Sequence, residues 1–581
     1  MLGSTGVVIS RLMPFRGALC CVMLLALGCT AGSSSAPRTG SVVGAPEARP
    51  NKTLGIVIQI EPKSLAFRFS LAGGRWGQRM LFNAGLSYVD ERESPTPQLA
   101  ESIPQMNMPS WLIQPDGRME TTYVLKPNLT WHDGTPFTAQ DVVFTRRVVI
   151  DPMPGLFVLQ PEDREIEEIL APDPRTVVIR WKGPYREAGS LNYAPLPRHL
   201  LEEAFDQGDP VSFSNHPYWS TDYMQLGPYR VERWEPGSFI EATAFAGYAL
   251  GRPKIDRVKL MWAPDPNVAV TYLLSGQAHL AVDNGVTLDS TPTLRREWAS
   301  KNGGSVLLSA TEVRYLQTQL RREYASPTAL LDPRVRGALL HTIDRKALAD
   351  AILAEAVAEG EGRLADTYVP PTLPYYAGLE RAISKYPFDL RRAEQLLAEV
   401  GIAKGGDGWY ASAADGRFEP DLRGRAGLEN QEVTIVTDNW KRAGINASQT
   451  TISAAQTSDQ EARSTFPGMA ATFSIVDPGS VYGKFVTSAA ASPANRWTGI
   501  NRGGWSNPEF DRLVVAFAAT MERDGASSIV TQTMKILSEE LPGLPLYYSY
   551  DVTAHSSDLR GPHAPISDTT AYPNIHLWEW Q

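Results

Sequence analysis

A chain of 581 residues, 43% hydrophobic and 20% charged, has the composition of an ordinary globular protein. At roughly 100–200 residues per domain it holds about two to four of them. The formal net charge is −9, and residues 1–28 carry only Arg11 and Arg16, so the chain from residue 29 onward sums to −9 − 2 = −11; an acidic exterior of that size argues against nucleic acid or anionic membrane as the main partner.

Arg11 and Arg16 precede an apolar stretch from Ala18 to Gly28, too short for the ~20 residues that a membrane-spanning helix needs. It ends in Ala-Leu-Gly-Cys at Cys29, which resembles the lipobox of bacterial lipoproteins, where a signal peptidase cuts before a cysteine that receives a lipid. Ala26 stands where that motif usually has Leu, and Met13 offers a second start, since the segment from there is a compact signal by itself. The other readings are an uncleaved signal anchor and a conventionally cleaved signal. Cys20, Cys21 and Cys29 are the three cysteines of the chain. A domain beyond Cys29 therefore has no disulfide, thiolate metal site or cysteine nucleophile. The expectation is a signal peptide over 1–28, a lipid on Cys29 and a small, polar, Pro-rich tether over 29–52.

The first strand signal is LGIVIQI, 54–60, a β-branched run that ends at Glu61-Pro62. Residues 128–144, NLTWHDGTPFTAQDVVF, place a tryptophan, a histidine and an aspartate together and invite a catalytic reading of His132. Local physics favours a turn. Asp133-Gly134 reverses the chain, Thr138 and Asp141 have capping-box spacing, and a helix is predicted from 139 to about 150. Trp131 then anchors the end of the preceding strand. TVVIRW (176–181) and SVLLSA (305–310) read as strands, and 334–357 as one helix entered through Asp332-Pro333. Residues 389–401 form a helix opened by Asp389 and closed by Gly401, and the Gly-rich 404–410 is a turn between elements. Strands interspersed with long helices give mixed α/β lobes and exclude an all-β or bundle fold.

Catalytic motifs are missing from the sequence. There is no H-E-x-x-H, no G-x-x-x-x-G-K-[ST], no G-x-G-x-x-G and no G-x-S-x-G, and the eight histidines are scattered. Nothing in the sequence requires catalysis, a cofactor or a metal. Fourteen Trp, 21 Tyr and 18 Phe supply flat surfaces of the kind that line ligand clefts. Most of them are expected in the core.

The 128–144 stretch has a second meaning. Trp131, Asp133, Gly134, Pro136, Thr138, Ala139, Asp141 and Val142 match the signature "(F/W)-x-D-G-x-P-(hydrophobic)-T-A-x-D-V" of extracellular solute-binding proteins of family 5, the class that feeds peptides to ABC importers. Further segments resemble that family in its order along the chain: LAESIP at 99–104, LGPYRVERWEPG at 226–237, LDPRVRGALLHTIDRKAL at 331–348 and GGWSNPEFDRLV at 503–514.

The resemblance implies an α/β, two-lobed periplasmic-binding-protein-like fold of the class II type with an extra subdomain in the first lobe. It divides the chain into lobe I with its inserted subdomain over 53–310, lobe II over 311–540, and a return to lobe I over 541–581. It implies a monomeric, lipid-anchored, extracytoplasmic receptor that delivers a peptide or oligopeptide to ABC permease subunits. By that likeness the ligand-binding residues are Asn83, Tyr315, Gln317, Arg321, Asp477, Tyr482, Trp497 and Trp505. Two departures bear on the ligand: the acid that holds a peptide's α-amine is expected three residues before Asp477, where Ser474 stands, and the family's Glu-Gly-Leu element is Ala84-Gly85-Leu86. An oligosaccharide or another amine-free solute is the alternative. A secreted hydrolase using paired carboxylates and a regulatory or adhesion lipoprotein are the rival readings.

Overall fold

The computed structural model describes residues 52–67, 77–90, 94–151, 157, 159–353, 356–357, 363–413, 416–564, 572 and 574–581. The expected signal peptide, Cys29 and the tether up to Asn51 lie outside the described residues.

Ten strands form one large sheet. Its centre is an antiparallel pair of unusual length, Gly304–Thr318 against Gly543–Ser556. To one side lie Leu280–Ala281, Thr53–Ile58, Arg257–Trp262, Phe239–Ala244 and Tyr229–Glu235; to the other lie Met469–Ile475, Asp421–Arg425 and Ser448–Ile452. Gly304–Ala310 pairs with Tyr550–Ser556 beside the first group, and Glu312–Gln317 with Gly543–Ser549 beside the second, with register shifts between Ala310 and Glu312 and between Arg314 and Tyr315. A bulge leaves one residue unpaired and bends its strand. On either side of these shifts lie two sets of cores, one around Ile56, Leu260 and Trp578 and the other around Leu339, Leu422 and Trp440. The chain therefore forms two α/β lobes joined by two crossing strands. A four-stranded sheet of Trp111–Ile113, Met119–Val124, Thr176–Trp181 and Ile166–Asp173 carries its own core around Tyr123, Trp131 and Trp181.

Local sequence explains most of these elements. Thr53–Ile58 is buried from Leu54 onward because parallel neighbours cover both its edges, which is where an uninterrupted β-branched run belongs. Helix Ala139–Val149 begins as its capping box requires, with the Thr138 N–H donating to Asp141 Oδ2 at 2.9 Å. Before it, Gly134 takes φ +91° and its N–H donates to the Trp131 carbonyl, so the tight turn needs glycine. Trp131 is wholly buried; truncating such a side chain costs about 3–5 kcal/mol.

Two expectations are corrected. The helix predicted over 334–357 is two helices, Pro333–His341 and Arg345–Leu353. Asp344 breaks it, because its N–H donates to Asn439 Oδ1 and its carboxylate accepts from the Ala347 N–H, a capping role that a helix interior cannot satisfy. The strand read at 305–310 continues to Thr318, since it crosses from one lobe into the other.

Candidate ligand-binding edge

Strand Met469–Ile475 is paired along its whole length on one side, from Met469 opposite Thr318 to Ile475 opposite Glu312. On its other side only Met469 and Ala470 have partners, Leu422 and Arg423. Past Arg425 the neighbouring strand gives way to helix Leu428–Ala443, in a turn where Gly427 has φ +94° and Gly424 lies so close to the Glu429 carbonyl that a Cβ would sit 2.7 Å from it. Among the described residues no strand covers Ala471–Ile475 on this side. An uncovered edge of this kind offers N–H and C=O groups to an extended ligand.

A recess of about 420 Å³ opens beside that edge, lined among others by Gln317, Arg425, Glu429, Arg463, Thr472 and Arg502. Its acid, Glu429, is already engaged, and so is Glu432 close by. The Arg425 Nε donates to Glu429 at 2.9 Å, and Arg314 donates to both Glu432 oxygens at 2.7 Å. Arg463, Arg502 and the nearby Lys484 make no side-chain hydrogen bond or ion pair with any described residue, and the Arg502 Nε is sealed from solvent with no partner. The Lys484 ammonium sits 6.0 Å from the Phe473 ring centroid. Burial and the charges of Arg502 and Arg463 lower the Lys484 pKa to about 8. Burial, followed by the charge of Arg463, lowers that of Arg502 to about 10. Mutual repulsion that Glu312 offsets only in part marks this group as electropositive.

The predicted site residues divide between this edge and the framework around it. Gln317 lines the recess. Arg321 grips the loops that carry the cations: its guanidinium donates to the carbonyls of Ala491 at 2.6 Å, Arg502 at 2.5 Å and Ser464. Trp497 lies 5.6 Å from that guanidinium, at φ +61°. The buried Tyr315 packs on Tyr368 and Phe485, its hydroxyl without a partner. Tyr482 is also buried and bonds Thr533 at 3.0 Å. Trp505 donates to Glu540 at 2.8 Å. Asp477 is the exposed N-cap of helix Pro478–Phe485, accepting from the Ser480 N–H.

Asn83 lies elsewhere, in lobe I. Its amide donates to the carbonyls of Leu65 and Arg79, its oxygen accepts from Tyr223 at 2.5 Å, and it lines a small apolar cavity with Leu196 and Trp219. Ser474 is fully buried and donates to its neighbour's carbonyl at Ile475, so no acid occupies that position. His132 is neutral scaffold: burial lowers its pKa to about 4, Nδ1 accepts from the Gln225 N–H and Nε2 donates to the Gly227 carbonyl.

Sequence reasoning missed Arg425, Arg463, Lys484 and Arg502. Arg502 alone had a signal, standing directly before the Gly-Gly-Trp-Ser-Asn-Pro element.

A Brucella ovis protein described provisionally as an ABC transporter peptide-binding protein is 28% identical over 321 residues, 55% of this chain and 54% of that protein, so the chain matches about half of that relative's length. The oligopeptide-binding protein AppA of Bacillus subtilis is 23% identical over 518 residues, 83% of each chain. The crystal structure of an oligopeptide-binding protein from Thermus thermophilus with a pentapeptide superposes with a TM-score of 0.71 at 20% identity, over 91% of this chain and 96% of that one. No helix among the described residues is long and apolar enough to cross a membrane. The family model for the middle of bacterial extracellular solute-binding proteins, family 5, matches residues 94–492, and the chain belongs to that family.

Proposed function

We propose that this protein captures a small extended solute, a peptide or oligopeptide first of all, along the open edge of Ala471–Ile475 and delivers it to the permease of an ABC importer. The uncovered edge beside a polar recess, next to the strands that join the lobes, carries this reading. A ligand lying there would add a strand to the sheet, with backbone groups giving orientation and the lobes burying the rest. Lobe boundaries at 53–310, 311–540 and 541–581 accompany the proposal, supported by the register shift between Ala310 and Glu312. So does extracytoplasmic retention by a lipid on Cys29. A receptor of this kind binds reversibly and turns nothing over.

A second reading replaces the peptide by an amine-free solute. Ser474, buried and bonded to its own strand, favours it, because an ammonium group placed there meets no carboxylate.

The test is the thermal midpoint of the full chain against free peptides, amine-blocked peptides and oligosaccharides. A ligand at 100 times its Kd stabilises the protein by about 2.7 kcal/mol, a shift of a few degrees at this size. Free peptides alone shifting the midpoint support the first reading, and amine-free solutes alone the second. No shift with any of them would sink solute capture.

A further inference from the structure

We infer that Arg463, Lys484 and Arg502 form an anion-recognition wall beside the open edge, and that the ligand is a small polycarboxylate, its carboxylates carried either on an acidic peptide or on an amine-free organic acid. The inference rests on the solute-capture reading above and names the class of solute.

Charge balance is the first argument. Arg425 is matched by Glu429 and Arg314 by Glu432. Of the remaining groups, Arg463, Lys484 and Arg502 repel one another and Glu312 acts on Lys484, which gives +3 − 1 = +2. The whole protein is acidic at −9, so a local excess of the opposite sign runs against its composition.

The second argument is solvation. Ordinary surface cations reach into water, and their repulsion is screened. These three side chains are only partly exposed. The sealed Nε of Arg502 has no acceptor among the described residues, and the Tyr315 hydroxyl near it has no partner there either. A buried donor left unmade is costly, and a buried cation without a counter-ion more so. Structure alone gives no return for that cost. A bound carboxylate would supply acceptors to the N–H groups that these cations still present to the recess and remove the repulsion together.

Geometry is the third argument. Arg463 and Arg502 line the same recess as Thr472, which lies on the uncovered strand, so a chain added to that edge brings its substituents among them. Arg321 fixes both loops through the carbonyls of Ser464 and Arg502, so the wall is held in place before a ligand arrives. Such pre-organisation lowers the ordering cost of binding.

The experiment is titration calorimetry of the full chain with triglutamate, triglutamine, trilysine and citrate, each at up to about 1 mM, the concentration at which even a weak complex registers. Triglutamate or citrate should bind about tenfold or more tightly than triglutamine, and Arg502→Gln and Lys484→Gln should each weaken that anion by about tenfold. Rising salt should weaken it too, because part of the attraction is screened. Triglutamate without citrate identifies an acidic peptide, and citrate without triglutamate an amine-free acid; both support the inference. Triglutamine or trilysine binding as tightly as triglutamate would overturn the anion wall and leave solute capture standing. Absence of heat from all four would overturn the anion wall, and the thermal-midpoint test above, with its oligosaccharides and blocked peptides, would then decide solute capture by itself. The thermal midpoints of the unliganded variants guard against misfolding: removing an uncompensated cation should leave them unchanged or raise them, and if one variant fails to fold the other decides.

Discussion

The Arg314 guanidinium meets the Glu432 carboxylate at two points, Nε to Oε1 and Nη2 to Oε2, each at 2.7 Å. This pair ties strand Gly304–Thr318 to helix Leu428–Ala443 one strand away from the open edge, with the two side chains 4% and 1% exposed. The Tyr547 hydroxyl donates to the same carboxylate at 2.6 Å. Removing one partner of a buried pair leaves a charge with no counter-ion, at a cost of about 3–5 kcal/mol. Glu432→Gln should therefore lower the stability by about that much in chemical denaturation. Arg314→Met in the Glu432→Gln background should recover part of the loss, because no stranded charge remains. A single variant as stable as the parent would contradict this account.

His132 sets part of the acid limit. Its folded pKa is about 4 against an ordinary 6.5, burial being the cause. Between those values the unfolded chain binds the proton and the folded one does not, so stability is complete above about pH 6.5 and falls as pH drops toward 4. The gap of 6.5 − 4 = 2.5 pH units corresponds to on the order of 3 kcal/mol. His576, whose pKa burial and then Lys126 also lower to about 4, adds a slope of the same sign. Thermal midpoints from pH 7 to pH 4.5 should fall, and His132→Gln should flatten part of that descent. An unchanged descent in the variant would assign the acid limit elsewhere.

The framework was more legible in the sequence than the site. The turn at Asp133-Gly134 and the capping box at Thr138 act within a few residues, and the structure follows them closely. The crossing strands were visible only in part, because length past Ala310 is decided by partners at Met469–Ile475 and Gly543–Ser549, far along the chain. Arg463, Lys484 and Arg502 come together from three separate segments, and no spacing in the sequence announces such a meeting. Aromatic residues are hard to divide between cleft and core from sequence alone. Tyr482 and Trp505 fill the lobe II core, where Thr533 and Glu540 satisfy their polar atoms.

Arg321 should prove to be a positioning residue. Its donors tie the carbonyls of Ala491, Arg502 and Ser464, and Gln319 Oε1 accepts from its Nε at 3.2 Å. Arg321→Ala leaves the carbonyls of Ala491 and Arg502 without that donor, while Ser464 keeps the Gln319 amide at 3.0 Å, a loss of about 2 kcal/mol. Arg321→Lys should not rescue it, since an ammonium cannot reproduce the planar fork. Both variants should also bind ligand more weakly, because Arg502 and the segment carrying Arg463 lose their tether. Denaturation and calorimetry on the same samples check the two effects. A stable Arg321→Lys protein with full affinity would show that charge suffices and geometry does not matter.

Arg186 offers a handle on lobe closure. It belongs to a short helical turn, Arg186–Gly189, beside the four-stranded subdomain of lobe I. Its guanidinium lies 4.1 Å from the ring centroid of Phe517 and donates to the Tyr375 hydroxyl at 3.3 Å, both in lobe II. A contact made between the lobes stabilises the arrangement that contains it over one in which the lobes part. Desolvated cation–π contacts are worth about 1–2 kcal/mol. Removing this one by Arg186→Ala should reduce the closed population and weaken ligand binding by about three- to tenfold, with a matching fall in the conformational-selection fraction. Arg186→Lys keeps the charge but not the stacking plane, and should fall between the two. Small-angle scattering of the unliganded protein should then give a larger radius of gyration for Arg186→Ala than for the parent, and saturating ligand should bring the two together. Equal radii with equal affinities would mean that the lobes close without this contact, and the control of closure would then lie in the bulges at Ala310 and Arg314.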